Sequence, residues 1–189
     1  NYLKMADHIS EVSKQILPSE DIDIIAYGCT SGTIAIGSKR IKEEINKSKP
    51  RAKVTTPITA ALKAFNKLGL KNIAVLTPYP KDVNETVYNY LNDNSINIDS
   101  FSSFNLEYDS EIAQVSLESL EKEITKIDLS NVDGLFVSCT ALKIVDVLDK
   151  IEKKQNTIVI SSNQAIIWDC LRSVGIDLKI EGYGKLFMS

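Results

Sequence analysis

Histidine is almost absent from this chain, and cysteine is scarce. The single histidine, His8, and the three cysteines, at positions 29, 139 and 170, include no Cys-x-x-Cys pair. A structural zinc site wants four such ligands, so none is expected. An odd cysteine count with wide spacing argues against a disulfide framework and fits a reducing, cytoplasmic setting. Basic residues do not exceed acidic ones, and the formal net charge is −3. Such a balance offers little to a phosphate backbone, so nucleic acid is not an expected partner. No apolar run approaches the roughly 20 residues that span a bilayer, so no membrane partner is expected either. The chain does not open on methionine, and residues 2–17 already repeat apolar groups at helical spacing. An N-terminal piece, with a further strand, is therefore expected to precede it.

Two copies of one short stretch organise what is there. The first runs from Asp23 to Cys29-Thr30, the second from Asp133 to Cys139-Thr140. Each has an aspartate, a short apolar run, a small residue and then Cys-Thr. A compact apolar run stopping at a small residue predicts a buried parallel strand ending in a tight turn. A second pair repeats at nearly the same offset. Val54-Thr55-Thr56-Pro57 leads to a helix closed by Gly69, and Ile160-Ser161-Ser162-Asn163 to one closed by Gly175.

Further strands are expected at 73–77, 96–101 and 157–160, alternating with helices at 2–17, 34–46, 57–68, 82–92, 110–125, 141–153 and 163–174. Strands alternating with helices predict an α/β fold with parallel sheets. The duplication predicts two pseudo-symmetric lobes with the site in the cleft between them. Residues 1–68 with 161–189 would form one lobe and 69–160 the other.

Each thiol is expected at a strand end before a helix, where open α/β sheets bind ligands. A helix N-terminus favours an anion, so both thiols are expected to be activated. The hydroxyls of Thr30, Ser31 and Thr140 could donate to a carboxylate or enolate oxygen. Two thiols facing one carbon allow proton removal on one side and delivery on the other. Alternatively, one thiolate adds to carbon and the other acts as acid. A cleft that binds a metabolite without catalysis is the reading from another class. Cys170 and Trp168 read as core, His8 as a partly solvated helix residue, and Tyr79 as a residue of a rigid Pro-Tyr-Pro loop.

Gly28-Cys29-Thr30-Ser31-Gly32-Thr33, Leu76-Thr77-Pro78-Tyr79, Phe136-Val137-Ser138-Cys139-Thr140-Ala141-Leu142 and Ser161-Ser162-Asn163-Gln164-Ala165 stand in this order. Together they resemble the aspartate/glutamate racemase superfamily. The likeness is greatest to the branch of maleate cis-trans isomerases, arylmalonate decarboxylases and ectoine-utilisation racemase-like proteins. That resemblance implies flavodoxin-like lobes, a homo-oligomer, and a site that uses neither metal nor cofactor. It implies Cys29 and Cys139 as the catalytic pair, with Thr30, Ser31, Tyr79 and Thr140 binding the substrate. Arylmalonate decarboxylases keep only the second cysteine, so Cys29 speaks against that activity. The isomerases carry an asparagine where Asp109 aligns. A carboxylate there points to an amino acid derivative and to the ectoine-utilisation branch, with maleate isomerisation through Cys29 as nucleophile the alternative.

Overall fold

The computed structural model describes residues 2–189, and the fold follows from where the chain is apolar on both faces. In chain order the elements are α1 (Tyr2–Ala6), α2 (Ile9–Gln15), β1 (Ile24–Ala26), α3 (Thr30–Ile36), α4 (Ser38–Ser48), β2 (Lys53–Thr55) and α5 (Pro57–Leu68). There follow β3 (Asn72–Thr77), α6 (Lys81–Asp93), β4 (Asn97–Ser103), α7 (Asp109–Ile112) and α8 (Leu117–Ile124). The last are β5 (Gly134–Val137), α9 (Val145–Gln155), β6 (Ile158–Ser161), α10 (Ser162–Ser173) and a short 3-10 turn, Lys185–Met188. All strands are parallel: one sheet has the order β4-β3-β5-β6, and β1 pairs with β2.

Strands β3, β5 and β6 are buried almost throughout, as expected of strands covered on both faces. β4, at the sheet edge, mixes Ser and Asp with Ile and Phe and stays half-exposed. Most of the apolar residues join one core around the four-stranded sheet, which makes the main lobe-like body. Phe65 of α5 meets Phe136 of β5 edge-on, with ring centroids 5.3 Å apart. A smaller cluster of Ala6, Ile9, Ile25, Ile36, Ile41, Ile45 and Ala52 packs around β1.

The repeat seen in the sequence recurs in which strands pair. The strand before each Cys-Thr lies parallel to the strand before each hydroxyl pair, although the register differs by one residue, with Ala26 opposite Thr55 and Val137 opposite Ser161. The aspartate of the second copy has a structural use. Asp133 accepts the main-chain N–H groups of Lys71 and Asn72, each at 2.8 Å, and these bonds hold its carboxyl below the usual range. It thereby fixes the start of β3 against β5.

Several helices differ from their sequence expectation, each for a local reason. The expected helix over 2–17 is two short helices parted at Asp7–His8, and His8 is exposed at the break. Its end lies at Gln15, because Leu17 takes φ 40° before Pro18 while the Lys49 ammonium holds the Leu17 and Glu20 carbonyls. The helix expected from 34 starts at Thr30 and breaks at Gly37, whose φ of 92° suits glycine. The helix expected over 110–125 is split, because Ser116 caps α8 by accepting the Ser119 N–H at 3.1 Å. The helices at 57–68, 82–92 and 163–174 hold to within a residue or so. α5 is closed by Gly69 at φ 72°, and α10 opens with a capping box between Ser161 and Gln164.

α5 and α10, the two repeat-related helices, are tied by Asp169. It is only 3% exposed, and it accepts from the Thr55 hydroxyl and from the Lys63 ammonium, the latter at 2.8 Å through both oxygens. Trp168 is buried beside it, whereas Cys170 is half-buried rather than fully in the core. Lys63 is itself half-exposed, so removing its partner leaves no stranded buried charge. Asp169→Ala should lower the free energy of unfolding by about 1–3 kcal/mol. Urea denaturation checks this, with an unchanged denaturant slope expected.

Candidate active site

β1 carries the chain to Cys29, which sits in an extended conformation as the cap of α3. Its Sγ accepts the Gly32 N–H at 3.3 Å, and its carbonyl accepts the Thr33 hydroxyl at 2.6 Å. Glycine at position 32 is a matter of space: a Cβ there would lie 2.8 Å from the thiol sulfur and 3.0 Å from the Tyr27 hydroxyl. Ser31 is buried, with its hydroxyl 3.0 Å from that of Tyr2 and 3.9 Å from the Cys29 sulfur. The thiol itself is half-exposed.

Cys139 is arranged differently. The helix expected from 141 begins only at Val145, so Cys139 caps no helix. Its φ is 119°, in a region that residues with a Cβ avoid. The turn after it is held from outside. The Asn163 side-chain amide donates to the carbonyls of Thr140 at 2.9 Å and Leu142 at 3.3 Å. Those carbonyls would otherwise serve a helix, which explains why the helix starts late.

The expectation of a helix-activated thiol therefore fails at Cys139. Burial pushes this thiol up; hydrogen bonds from the Tyr79 hydroxyl and the Ala141 and Leu142 N–H groups oppose the shift, and the Asp109 carboxylate adds to it. The Ala141 N–H lies 3.4 Å from the sulfur.

The two turns meet. The Thr140 hydroxyl donates to the Gly28 carbonyl at 2.8 Å. The Thr30 hydroxyl donates to the Ser162 hydroxyl oxygen at 3.0 Å, and the Cys139 N–H donates to that same oxygen at 3.1 Å. Thr30 and Thr140 thus spend their hydroxyl protons on joining the turns. Tyr79 is buried beside Cys139 rather than exposed on its loop. It is 5% exposed, and its phenol is pushed well above its usual range by burial first and by Cys139 next, with Cys29 a smaller influence. Asp109 is exposed at the first position of α7, close enough for its charge to act on Cys139. Cys29, Thr30, Ser31, Tyr79, Cys139 and Thr140 are thus gathered, with Asp109 at their margin.

Sequence reasoning did not assign Ser162, Asn163, Gly32 or Tyr27. The hydroxyl pair at 161–162 and its repeat counterpart were visible, but not that Ser162 would bridge both thiol turns. An apolar groove of about 340 Å³ beside α2, lined by Met5, His8, Ile9, Val12 and Ile25, contains neither thiol. Among the described residues, no three His, Cys, Asp or Glu side chains gather as metal ligands, and no helix is long and apolar enough to cross a membrane.

A family model described as arylmalonate decarboxylase matches residues 2–187. The chain belongs to the arylmalonate decarboxylase family. This family, with the maleate isomerases, lies in the aspartate/glutamate racemase superfamily, and the relatives found are distant. The arylmalonate decarboxylase of Bordetella bronchiseptica is 30% identical over 136 residues, which are 70% of this chain and 57% of that protein. A maleate isomerase of Pseudomonas putida is 22% identical over 178 residues, 90% of this chain and 71% of that one. This family member thus spans little more than half the length of the first relative.

Among solved structures, a mutant maleate cis-trans isomerase of Nocardia farcinica holding a covalently bound succinylcysteine intermediate superposes with a TM-score of 0.90. It is 20% identical, and the match covers 98% of this chain and 79% of that one. A liganded mutant of arylmalonate decarboxylase gives a TM-score of 0.84 at 25% identity, over 98% of this chain and 79% of that chain. The parallel α/β fold is common to all of them.

Because folding strengthens the hold of Cys139 on its proton, stability should decline as the pH rises from the unfolded thiol's range towards the folded one's. Site-resolved alkylation of Cys139, followed by mass spectrometry, should rise with pH along a curve displaced above that of a free thiol. Tyr79→Phe removes a hydrogen bond that favours the thiolate and should displace the curve further upward.

Proposed function

We propose that this chain is a cofactor-independent isomerase or racemase of a small carboxylate, with Cys29 and Cys139 as the catalytic pair. The observation that carries the reading is the meeting of two Cys-Thr turns, joined through the Gly28 carbonyl and the Ser162 oxygen. Family membership supports cysteine chemistry on small carboxylates. In this reading residues 1–68 with 161–189 act as one flavodoxin-like half and 69–160 as the other, with the substrate between them. The parallel pairing of β1 with β2 and of β5 with β6 supports that division.

The thiols are not equivalent. Cys29 is half-exposed and can turn a sulfur lone pair towards a bound molecule, whereas burial holds Cys139 as the neutral thiol. That difference supports Cys29 as base or nucleophile and Cys139 as acid. In racemisation the Cys29 thiolate takes the α-proton, the carboxylate stores the electron pair as an enediolate, and Cys139 delivers a proton to the opposite face. In this reading the Tyr79 hydroxyl and Ser31 steady the enediolate oxygens.

Isomerisation of a cis double bond would use the same groups. The Cys29 sulfur bonds to one alkene carbon and Cys139 protonates the other. Rotation about the new single bond, return of the proton to Cys139 and loss of sulfur give the trans acid. The field of Asp109 at Cys139 disfavours a second substrate carboxylate and favours an ammonium group, as on an amino acid derivative. This supports the racemase-like, ectoine-utilisation branch over maleate as substrate.

The test is solvent deuterium incorporation at the α-carbon across a panel of dicarboxylates and amino acid derivatives. Cys29→Ala and Cys139→Ala should each lower incorporation by about a hundredfold or more, with circular dichroism unchanged. Full activity in both variants rules out the two-thiol mechanism. Tight binding with neither isotope exchange nor cis-trans interconversion in the native chain would mark a metabolite-binding protein instead.

A further inference from the structure

We propose that Ser162 is the positioning residue that sets the two thiol turns in register. Where turnover is concerned, this rests on the two-thiol reading above. Ser162 is the first residue of α10 and is fully buried. A serine oxygen has two lone pairs to offer. Here one takes the Thr30 hydroxyl at 3.0 Å and the other the Cys139 N–H at 3.1 Å. Thr30 directly follows one thiol, and the Cys139 N–H belongs to the other. A single atom therefore ties together two turns that come from distant parts of the chain, in addition to the direct bond from the Thr140 hydroxyl to the Gly28 carbonyl.

The demand on that atom is greatest at Cys139. Its φ of 119° is unfavourable for any residue with a Cβ. The N–H that Ser162 accepts belongs to the peptide plane on the N-terminal side of that rotation, so the contact fixes one of the two planes that define the strained angle. The remaining restraints act further along: Asn163 holds the carbonyls of Thr140 and Leu142, and the Thr140 hydroxyl holds Gly28. Ser162 itself is anchored by the helix start, where Ser161 caps by accepting the Gln164 N–H at 3.1 Å. Ser162 makes no hydrogen bond to either thiol sulfur and acts through the Cys139 backbone and the Thr30 side chain, which makes it a positioning residue.

Amide hydrogen exchange reads this without recourse to turnover. The Ser138 N–H, bonded to the Leu76 carbonyl at 2.9 Å, is the neighbouring reference, because general loosening of β5 would move both amides together. In Ser162→Ala the Cys139 amide should exchange at least tenfold faster, with Ser138 changed by less than twofold. Thr30→Val removes one bond to Ser162 without touching Cys139, and should still speed Cys139 exchange by threefold or more. Ser162→Thr keeps the oxygen and should preserve the protection.

If Ser162→Ala does not fold, the other two variants carry the test. Exchange at Cys139 that stays within twofold of wild type in Thr30→Val and in any folded Ser162→Ala, or that moves only in step with Ser138, reduces Ser162 to packing and overturns the proposal. In deuterium-incorporation assays Ser162→Ala should lower turnover at least tenfold with a smaller change in KM. A wild-type chain that neither exchanges substrate hydrogen nor interconverts cis and trans acids would end the two-thiol mechanism while leaving the amide pattern to decide the role of Ser162.

Discussion

The arrangement of the whole site depends on the backbone of Cys139 being held at a φ of 119°. A residue with a Cβ pays about 1–3 kcal/mol for such a conformation. It persists only where the surroundings determine it from several sides. Here the N–H is taken by Ser162, the next carbonyls by Asn163, and the neighbouring hydroxyl donates to Gly28. Each such bond contributes about 1 kcal/mol net, so three or four together balance the strain. The outcome is a thiol presented from a turn rather than from the mouth of a helix.

That constraint also explains how the two sheets communicate. β1 with β2, and β5 with β6, repeat one pairing, yet they belong to separate sheets with separate apolar clusters. Packing alone does not fix the spacing of two such units to a fraction of an ångström. Directional bonds do. α10 supplies them at both ends: Ser162 and Asn163 reach the thiol turns at its start, and Asp169 reaches Thr55 and Lys63 further along. The same helix thus binds both to the small sheet and to the two thiol turns.

Much of this was legible in the sequence, and the remainder divides along physical lines. Buried parallel strands announce themselves as apolar runs, so β3, β5 and β6 stood out, and Thr56-Pro57 with Gly69 marked both ends of α5. The duplicated Cys-Thr stretches led to the two thiols, and the strand-end loop led to Tyr79. Helix starts and breaks set by tertiary hydrogen bonds were hidden. Nothing local in Thr140 to Ile144 says that Asn163 will claim its carbonyls. For the same reason the state of Cys139 was misjudged: sequence placed it at a helix start, whereas burial among Tyr79 and the turn dominates. Serine 162 was visible as half of a hydroxyl pair, but its two partners lie far away in the chain.

The difference between the thiols follows from this geometry and bears on the direction of the chemistry. In a fully symmetric pair either thiol could remove or deliver the proton, and both hands of a substrate would be treated alike. Here one sulfur is half-exposed beside the Gly32 N–H, and the other is buried against a phenol that is itself kept neutral. Ionising Cys139 places a second negative charge in the reach of Asp109 and in a poorly solvated turn, so the resting state that costs least keeps the proton on Cys139. Under the proposed mechanism, a buried thiol that keeps its proton favours a sequence in which Cys29 acts first on the substrate and Cys139 answers as the acid.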